Sequence, residues 1–317
     1  MTTRTWTAEA AALLGPSDSQ IMYAGPLSFC RRATGRDIAG ADLAVVGVPL
    51  DTTVTNRPGA RFGPRAIRQA STQLAWARHW PSPFDPFERL AVYDWGDVAF
   101  DHGRPESVAA EIEAALREIH ATGAATLMLG GDHFCAYPAL RAHASRQSEP
   151  LALVQFDAHS DTWADDGARI DHGTMFFHAV KEGLIDPARS IQIGIRTTND
   201  APLGIEVFDA IRVHEEGWRA AAAAIRARVG DRPAYVTFDI DCLDPSQAPG
   251  TGTPVMGGLF AHQALQILRA MQGMTIVGMD VVEVAPAYDV AEITALAGAT
   301  VALELLCLYA ESPAAAR

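Results

Sequence analysis

The chain has 317 residues, 49% of them apolar, and a formal charge of -13. That length and apolar content suit a single α/β unit with a full core, and the acidic balance speaks against nucleic acid or an anionic membrane as a partner. Cys30, Cys135, Cys242 and Cys307 lack CxxC spacing, which excludes a disulfide framework or zinc ribbon; with no signal peptide or membrane span in the sequence, the expected place is the cytoplasm.

Residues 1–40 have no clean periodicity and are expected to be an N-terminal extension lying over the domain or against a neighbouring subunit. Residues 41–311 form the domain, and 312–317 a frayed tail. A buried strand at 43–49 leads through polar residues 51–56 into a turn-rich loop, where Pro64 suits the first turn of a helix through Ile67 and Leu74. A strand is expected at 89–94, then an amphipathic helix at 105–120 with Val108, Ile112, Leu116 and Ile119 inward. The strand 126–129 ends in Gly130-Gly131-Asp132-His133, a helix covers 138–145, and the apolar run 151–155 reads as a buried parallel strand. Beyond a polar loop, a helix runs to residue 182; strands follow at 191–195 and 210–213, and an alanine-rich helix at 218–229. The strand 234–238 carries Asp239 at its tip. A loop at 243–257, a helix at 261–271, a strand at 275–284 and a helix at 292–309 complete the chain. Roughly eight strands alternating with helices predict a three-layer α/β/α fold on a mainly parallel sheet.

The chemistry sits at the strand tips, where parallel sheets bind ligands. If the extended conformation persists through Phe156-Asp157-Ala158-His159-Ser160-Asp161, then Asp157, His159 and Asp161 point the same way. Asp239 and Asp241 repeat the design, and His133 supplies a second imidazole. Four aspartates and two neutral histidines balance two divalent ions, whereas one ion would leave buried anionic charge unpaired. Oxygen-rich ligation with imidazole favours two manganese ions, with nickel or cobalt (or iron) as alternatives. Such a pair, about 3.5–4 Å apart, makes hydroxide available near neutral pH, so the expected reaction is hydrolysis. A carboxylate such as Glu283 facing that hydroxide suits a cationic electrophile, and a guanidinium group meets the description. Asp132 and Asp244, beside ligands, are expected to hydrogen-bond or cap loops.

The motifs ending in His133 and Asp161, together with Phe238-Asp239-Ile240-Asp241-Cys242-Leu243-Asp244-Pro245, are similar in order and spacing to the metal motifs of the ureohydrolases, the family of arginases, agmatinases, guanidinobutyrases and formimidoylglutamases. Gly250-Thr251-Gly252-Thr253-Pro254 and Asp280-Val281-Val282-Glu283-Val284-Ala285-Pro286 also match. The segments Asp171-His172-Gly173-Thr174-Met175-Phe176 and Gln192-Ile193-Gly194-Ile195-Arg196 most resemble the bacterial agmatinases, although Gln155 stands where a histidine is expected in close ones. The resemblance implies the arginase-like fold and a homo-oligomer of trimers or hexamers. It also implies a dinuclear site with His133 and Asp161 on one ion, His159 and Asp241 on the other, and Asp157 and Asp239 bridging.

It further implies hydrolysis of agmatine to putrescine and urea: a metal-bridging hydroxide attacks the guanidinium carbon, Glu283 orients the group, Thr253 adds a hydroxyl, and His172 shuttles the proton to the leaving amine. Asp165, with Asp166 and Asp171, makes the loop acidic and suits an ammonium tail; Arg57, Arg61 and Arg169 offer the opposite reading, an acidic tail such as that of guanidinobutyrate. Other guanidino substrates, a non-catalytic ureohydrolase-like subunit and a deacetylase-like amidohydrolase are the competing readings.

Overall fold

Leu-Ala-Val-Val-Gly-Val at the start of the domain is apolar on both faces, which suits only a strand covered on both sides. The computed structural model describes residues 23–165, 171–201 and 203–316 and places this run, Leu43–Val48, as β1 inside such a sheet. The others are β2 (Val92–Asp97), β3 (Ala125–Gly130), β4 (Ala152–Phe156), β5 (Ile191–Ile193), β6 (Glu206–Phe208), β7 (Ala234–Asp239) and β8 (Ile276–Val282). Their order is β2-β1-β3-β8-β7-β4-β5-β6, and every pairing is parallel.

Parallel neighbours need crossovers, and the helices supply them on both faces. Helices Gly63–Ser71, Trp218–Val229, Ala261–Arg269 and Ile293–Ala310 bury Ile67, Ile225, Ile267 and Leu305 on one side. Pro105–Ala121, Ala136–Ala144 and Met175–Lys181 bury Ile112, Leu140 and Phe176 on the other. The result is the three-layer α/β/α arrangement. Helix Ile293–Ala310 is long and apolar enough to cross a membrane, but 72% of it is buried inside the fold. Its one carboxylate, Glu304, accepts from Arg269 Nε at 2.8 Å and lies 2.6 Å from His79 Nε2.

Three expected elements differ. The strand expected at 89–94 begins only at Val92, because Asp85 accepts from Phe87 N and starts the short helix Pro86–Arg89. The run 210–213 is helical, not extended: Asp209 caps Ala210–Glu216 by accepting from Arg212 N at 2.8 Å, and the edge strand is β6 just before it. The tail expected to fray is tied down at Ser312, whose hydroxyl accepts from Ile276 N at 2.9 Å, and Pro313–Ala316 continue as a 3-10 turn. Of residues 1–40, the described part from 23 onward packs on the domain: Phe29 is fully buried and its N–H donates to Asp94 Oδ2 at 2.7 Å.

The β3 tip leaves no room for a side chain at its second glycine. A Cβ on Gly131 would sit 1.7 Å from the Leu50 carbonyl oxygen, which also accepts Asp132 N at 2.7 Å. Gly131→Ala is therefore expected to cost about 1–3 kcal/mol of stability by overpacking, read as a lower urea midpoint, and to disturb the loop that carries His133.

Candidate metal centre

Strand β4 stops at Phe156, and the following residues turn. His159 N donates to Asp157 Oδ1 at 2.6 Å, an Asx turn, and Asp161 takes the left-handed conformation at φ 52°. Convergence of Asp157, His159 and Asp161 therefore comes from this turn and not from strand alternation, which corrects the extended reading. Asp239 makes the same local bond, accepting Asp241 N at 2.8 Å as the chain enters the 3-10 turn Ile240–Cys242.

The three tips bring all six expected ligands together. His133 Nδ1 lies 3.0 Å from Asp157 Oδ2, 3.0 Å from Asp161 Oδ2 and 3.2 Å from Asp239 Oδ2. His159 Nδ1 lies 3.0 Å from Asp241 Oδ2 and 3.5 Å from Asp157 Oδ1. Asp157, fully buried, faces one histidine with each oxygen.

The tautomer of His133 follows from its other nitrogen. Tyr235 OH and Thr237 Oγ1 both donate to Asp280, at 2.6 Å each. With its proton committed, the Thr237 oxygen accepts from His133 Nε2 at 2.8 Å. Nδ1 is then the lone-pair nitrogen, buried, without a hydrogen-bond partner, and aimed at three carboxylates. An orphaned imidazole nitrogen among carboxylate oxygens fits a divalent cation, and the two groups His133-Asp157-Asp239 and Asp157-His159-Asp241 share Asp157, an arrangement that suits two neighbouring ions.

Without cations the cluster must hold protons. Burial would lower the two histidines, but carboxylates overcome it: Asp157, Asp161 and Asp239 lift His133 well above its usual range, and Asp241 with Asp157 lifts His159 to about 12. Burial, then the neighbouring Asp157 charge, raises Asp161 to about 7. Ions bind the deprotonated groups, so at neutral pH they must displace protons held by these raised pKa values. Calorimetric titration with Mn2+ in buffers of different ionisation enthalpy should show release of more than one proton, and affinity should rise with pH. Proton-neutral, pH-independent binding would contradict this account.

Above the cluster is a cavity of about 280 Å3, walled by Thr55, Trp163, Asp171, His172 and Thr253. Thr253 Oγ1 donates to Asp241 Oδ2 at 3.2 Å. His172 Nδ1 is 3.0 Å from Glu283 Oε1, which also accepts His133 N at 2.9 Å. Burial would lower His172, but the Glu283 carboxylate more than offsets it and lifts the group to about 9. At Nε2, Thr55 N donates at 2.9 Å and the Thr55 hydroxyl lies at 2.8 Å. An N–H donated there needs a lone pair, so this contact belongs to the neutral ring with its proton on Nδ1, the form reached once the second proton, favoured by the Glu283 charge, has left.

Not every expected residue faces the cavity. Glu283 is 1% exposed and stands behind His172; Asp165, expected at the substrate tail, has its Oδ2 3.4 Å from His178 Nε2 and does not line the cavity. Asp166 and Arg169 lie outside the described residues. Asp244 caps its loop, accepting from Ser246 N, Gly257 N and Gly258 N, and Asp132 accepts Thr53 N. Sequence reasoning missed Thr55, Thr237, Tyr235 and Gln192. The available signals were weak: Thr237 and Tyr235 alternate along β7 before Asp239, and Thr55 follows a strand tip.

The Arginase family profile matches residues 41–307. The chain belongs to the arginase family. An agmatinase of Chromobacterium violaceum is 57% identical over 287 residues, covering 90% of this chain and 89% of its own. The crystal structure of a hypothetical agmatinase from Burkholderia thailandensis superposes with a TM-score of 0.90 at 57% identity, covering 92% of each chain. Proclavaminate amidino hydrolase from Streptomyces clavuligerus reaches a TM-score of 0.87 at 39% identity, over 92% of this chain and 99% of its own. This arginase-family chain is accordingly a hydrolase of carbon–nitrogen bonds in guanidino groups.

Proposed function

We propose that the enzyme hydrolyses agmatine to putrescine and urea with two Mn2+ ions, Ni2+ or Co2+ being the alternatives. The observation that carries the substrate is the wall of the cavity. Asp171 and Trp163 line it, and a Cβ on Gly173 between them would meet Asp171 Oδ1 at 3.5 Å and Trp163 Cδ1 at 3.6 Å. Asp171, whose Oδ1 already accepts Gly173 N at 3.0 Å, sets a carboxylate beside an aromatic ring, which suits a methylene chain ending in ammonium. Of the arginines that would favour an acidic tail, the two within the described residues are engaged elsewhere: Arg57 donates to Thr251 O and Gly252 O and stacks on Tyr288, while Arg61 pairs with Asp51. The 53–57% identity to agmatinases supports the same choice.

His133, Asp157, Asp161, Asp239, His159 and Asp241 would hold the two ions. Once bound, such a pair supplies Lewis acidity and a water activated near neutral pH. The chain's own residues do the rest. Thr253 keeps Asp241 in place from the cavity side. Glu283 holds His172 by its Nδ1 proton, and the Thr55 hydroxyl links His172 Nε2 to the cavity, a path by which a proton can reach the leaving amine. Trp163, 52% exposed, lines the cavity at its solvent side.

Full-length protein reconstituted with Mn2+ should release urea from agmatine with a higher kcat/KM than from arginine, guanidinobutyrate, guanidinopropionate or butylguanidine. Asp171→Asn should cut the agmatine value by roughly 10–100-fold, the worth of a hydrogen bond to a charged group, and spare butylguanidine, which has no ammonium. Preference for guanidinobutyrate would overturn the tail argument. The 39% identity with proclavaminate amidino hydrolase keeps a second reading, the same reaction on another guanidino tail, and the panel decides between them. A homo-oligomer of trimers or hexamers in the cytoplasm completes the proposal, the compartment being consistent with four free, buried cysteines.

A further inference from the structure

Gln155 and Gln192 face each other in register across β4 and β5, and both are fully buried. Two primary amides in such a place are costly unless their polar atoms are matched, and here all but Gln192 Oε1 are. Their bonds run in one direction. Gln192 Nε2 donates to Gln155 Oε1 at 2.7 Å and to Ser160 O at 2.6 Å. This turns the Gln155 NH2 outward, where it donates to Asp157 Oδ2 at 2.8 Å and to His159 O at 3.1 Å. Flipping either amide would set oxygen against oxygen, so the network defines both orientations.

The three residues reached, Asp157, His159 and Ser160, all belong to the ligand turn that follows the end of β4. Asp157 Oδ2 is also the oxygen that faces His133 Nδ1. We infer that Gln155 and Gln192 are positioning residues for the metal pair that the cluster would hold: a buried amide relay carries the rigid register of β4 and β5 into the ligand turn and holds Asp157 with one oxygen toward His133 and the other toward His159. The amide donor bears no charge, so it orders the shared carboxylate without neutralising it. This inference rests on the metal-centre reading above.

The test titrates Mn2+ into metal-stripped, full-length protein by calorimetry, with melting of the stripped protein in parallel. Gln155→Leu should weaken Mn2+ binding by about 10–100-fold, the usual worth of a bond to a ligand. Gln192→Leu, which leaves Gln155 chemically intact, should weaken it less through loss of orientation, and Gln155→His, able to donate from a ring N–H, should restore much of the affinity. Melting of the stripped variants should stay close to that of the parent. Parent-like Mn2+ affinity in both leucine variants overturns the inference, as does a loss of affinity matched by a general loss of stability. If the parent itself binds no Mn2+, the metal-centre reading fails first, and that result is distinct from either.

Discussion

Asp157→Asn is expected to lower urea release by more than about 100-fold, because even hydrogen-bonding neighbours of a metal ligand are worth 10–100-fold and Asp157 is placed as the ligand common to both groups. The amide keeps the volume, and its oxygen can still accept His159 N, so the turn should survive. What it loses is the charge between His133 and His159. In the folded protein the two imidazoles hold the Asp157 carboxyl far below the usual range, overcoming burial that would raise it. Removing that charge leaves less to balance two divalent ions and less to hold the histidine protons. Metal content after dialysis against Mn2+ should fall with activity. A variant that kept both ions and full activity would remove Asp157 from the centre of the mechanism.

The second large effect concerns His172 and Glu283, 111 positions apart in sequence and 3.0 Å apart in space. Replacing His172 by Asn should cut kcat by roughly 10²–10⁴-fold, the range for a positioned acid or base, while Mn2+ content stays at the parent level, since His172 touches none of the six ligands through its side chain. Glu283→Gln keeps an acceptor for His133 N but removes the charge that lifts His172 to about 9. Burial, which lowers the imidazole, then dominates. A His172 proton held up to about 9 in the parent is lost at lower pH in the variant, so the basic limb of the pH–rate profile should move to lower pH. An unmoved limb, with kcat reduced, would assign Glu283 to the substrate rather than to His172.

Local signals made much of this molecule readable before any coordinates. Helix Trp218–Val229 lies where the alanine-rich run predicts it, and the six clustered residues were legible because each tip abruptly follows an apolar run with aspartate, joined at two tips by histidine. The misreadings were local too. Residues 210–213, apolar enough for a strand, became a helix once Asp209 capped it, and Arg89 joined a helix begun by Asp85 and Pro86. Here a single cap outweighed a short apolar pattern, which by itself cannot separate the two states.

The sequence by itself determined the α/β class, the guanidino chemistry and the six aspartates and histidines that the fold gathers into one cluster, because these follow from residue type, short-range spacing and motif resemblance. Only the tertiary structure decided how they work together. The last strand, β8, enters between β3 and β7 and so brings Glu283 against His172 and Asp280 beneath Thr237. It also turned Asp165 to His178 and Arg57 to the loop at Gly252, leaving Asp171 and Trp163 on the cavity wall. The reason is physical: periodicity along the chain shows which face of an element is apolar, whereas which elements become neighbours depends on packing summed over the whole sheet, and a buried polar side chain takes whichever partner that packing presents.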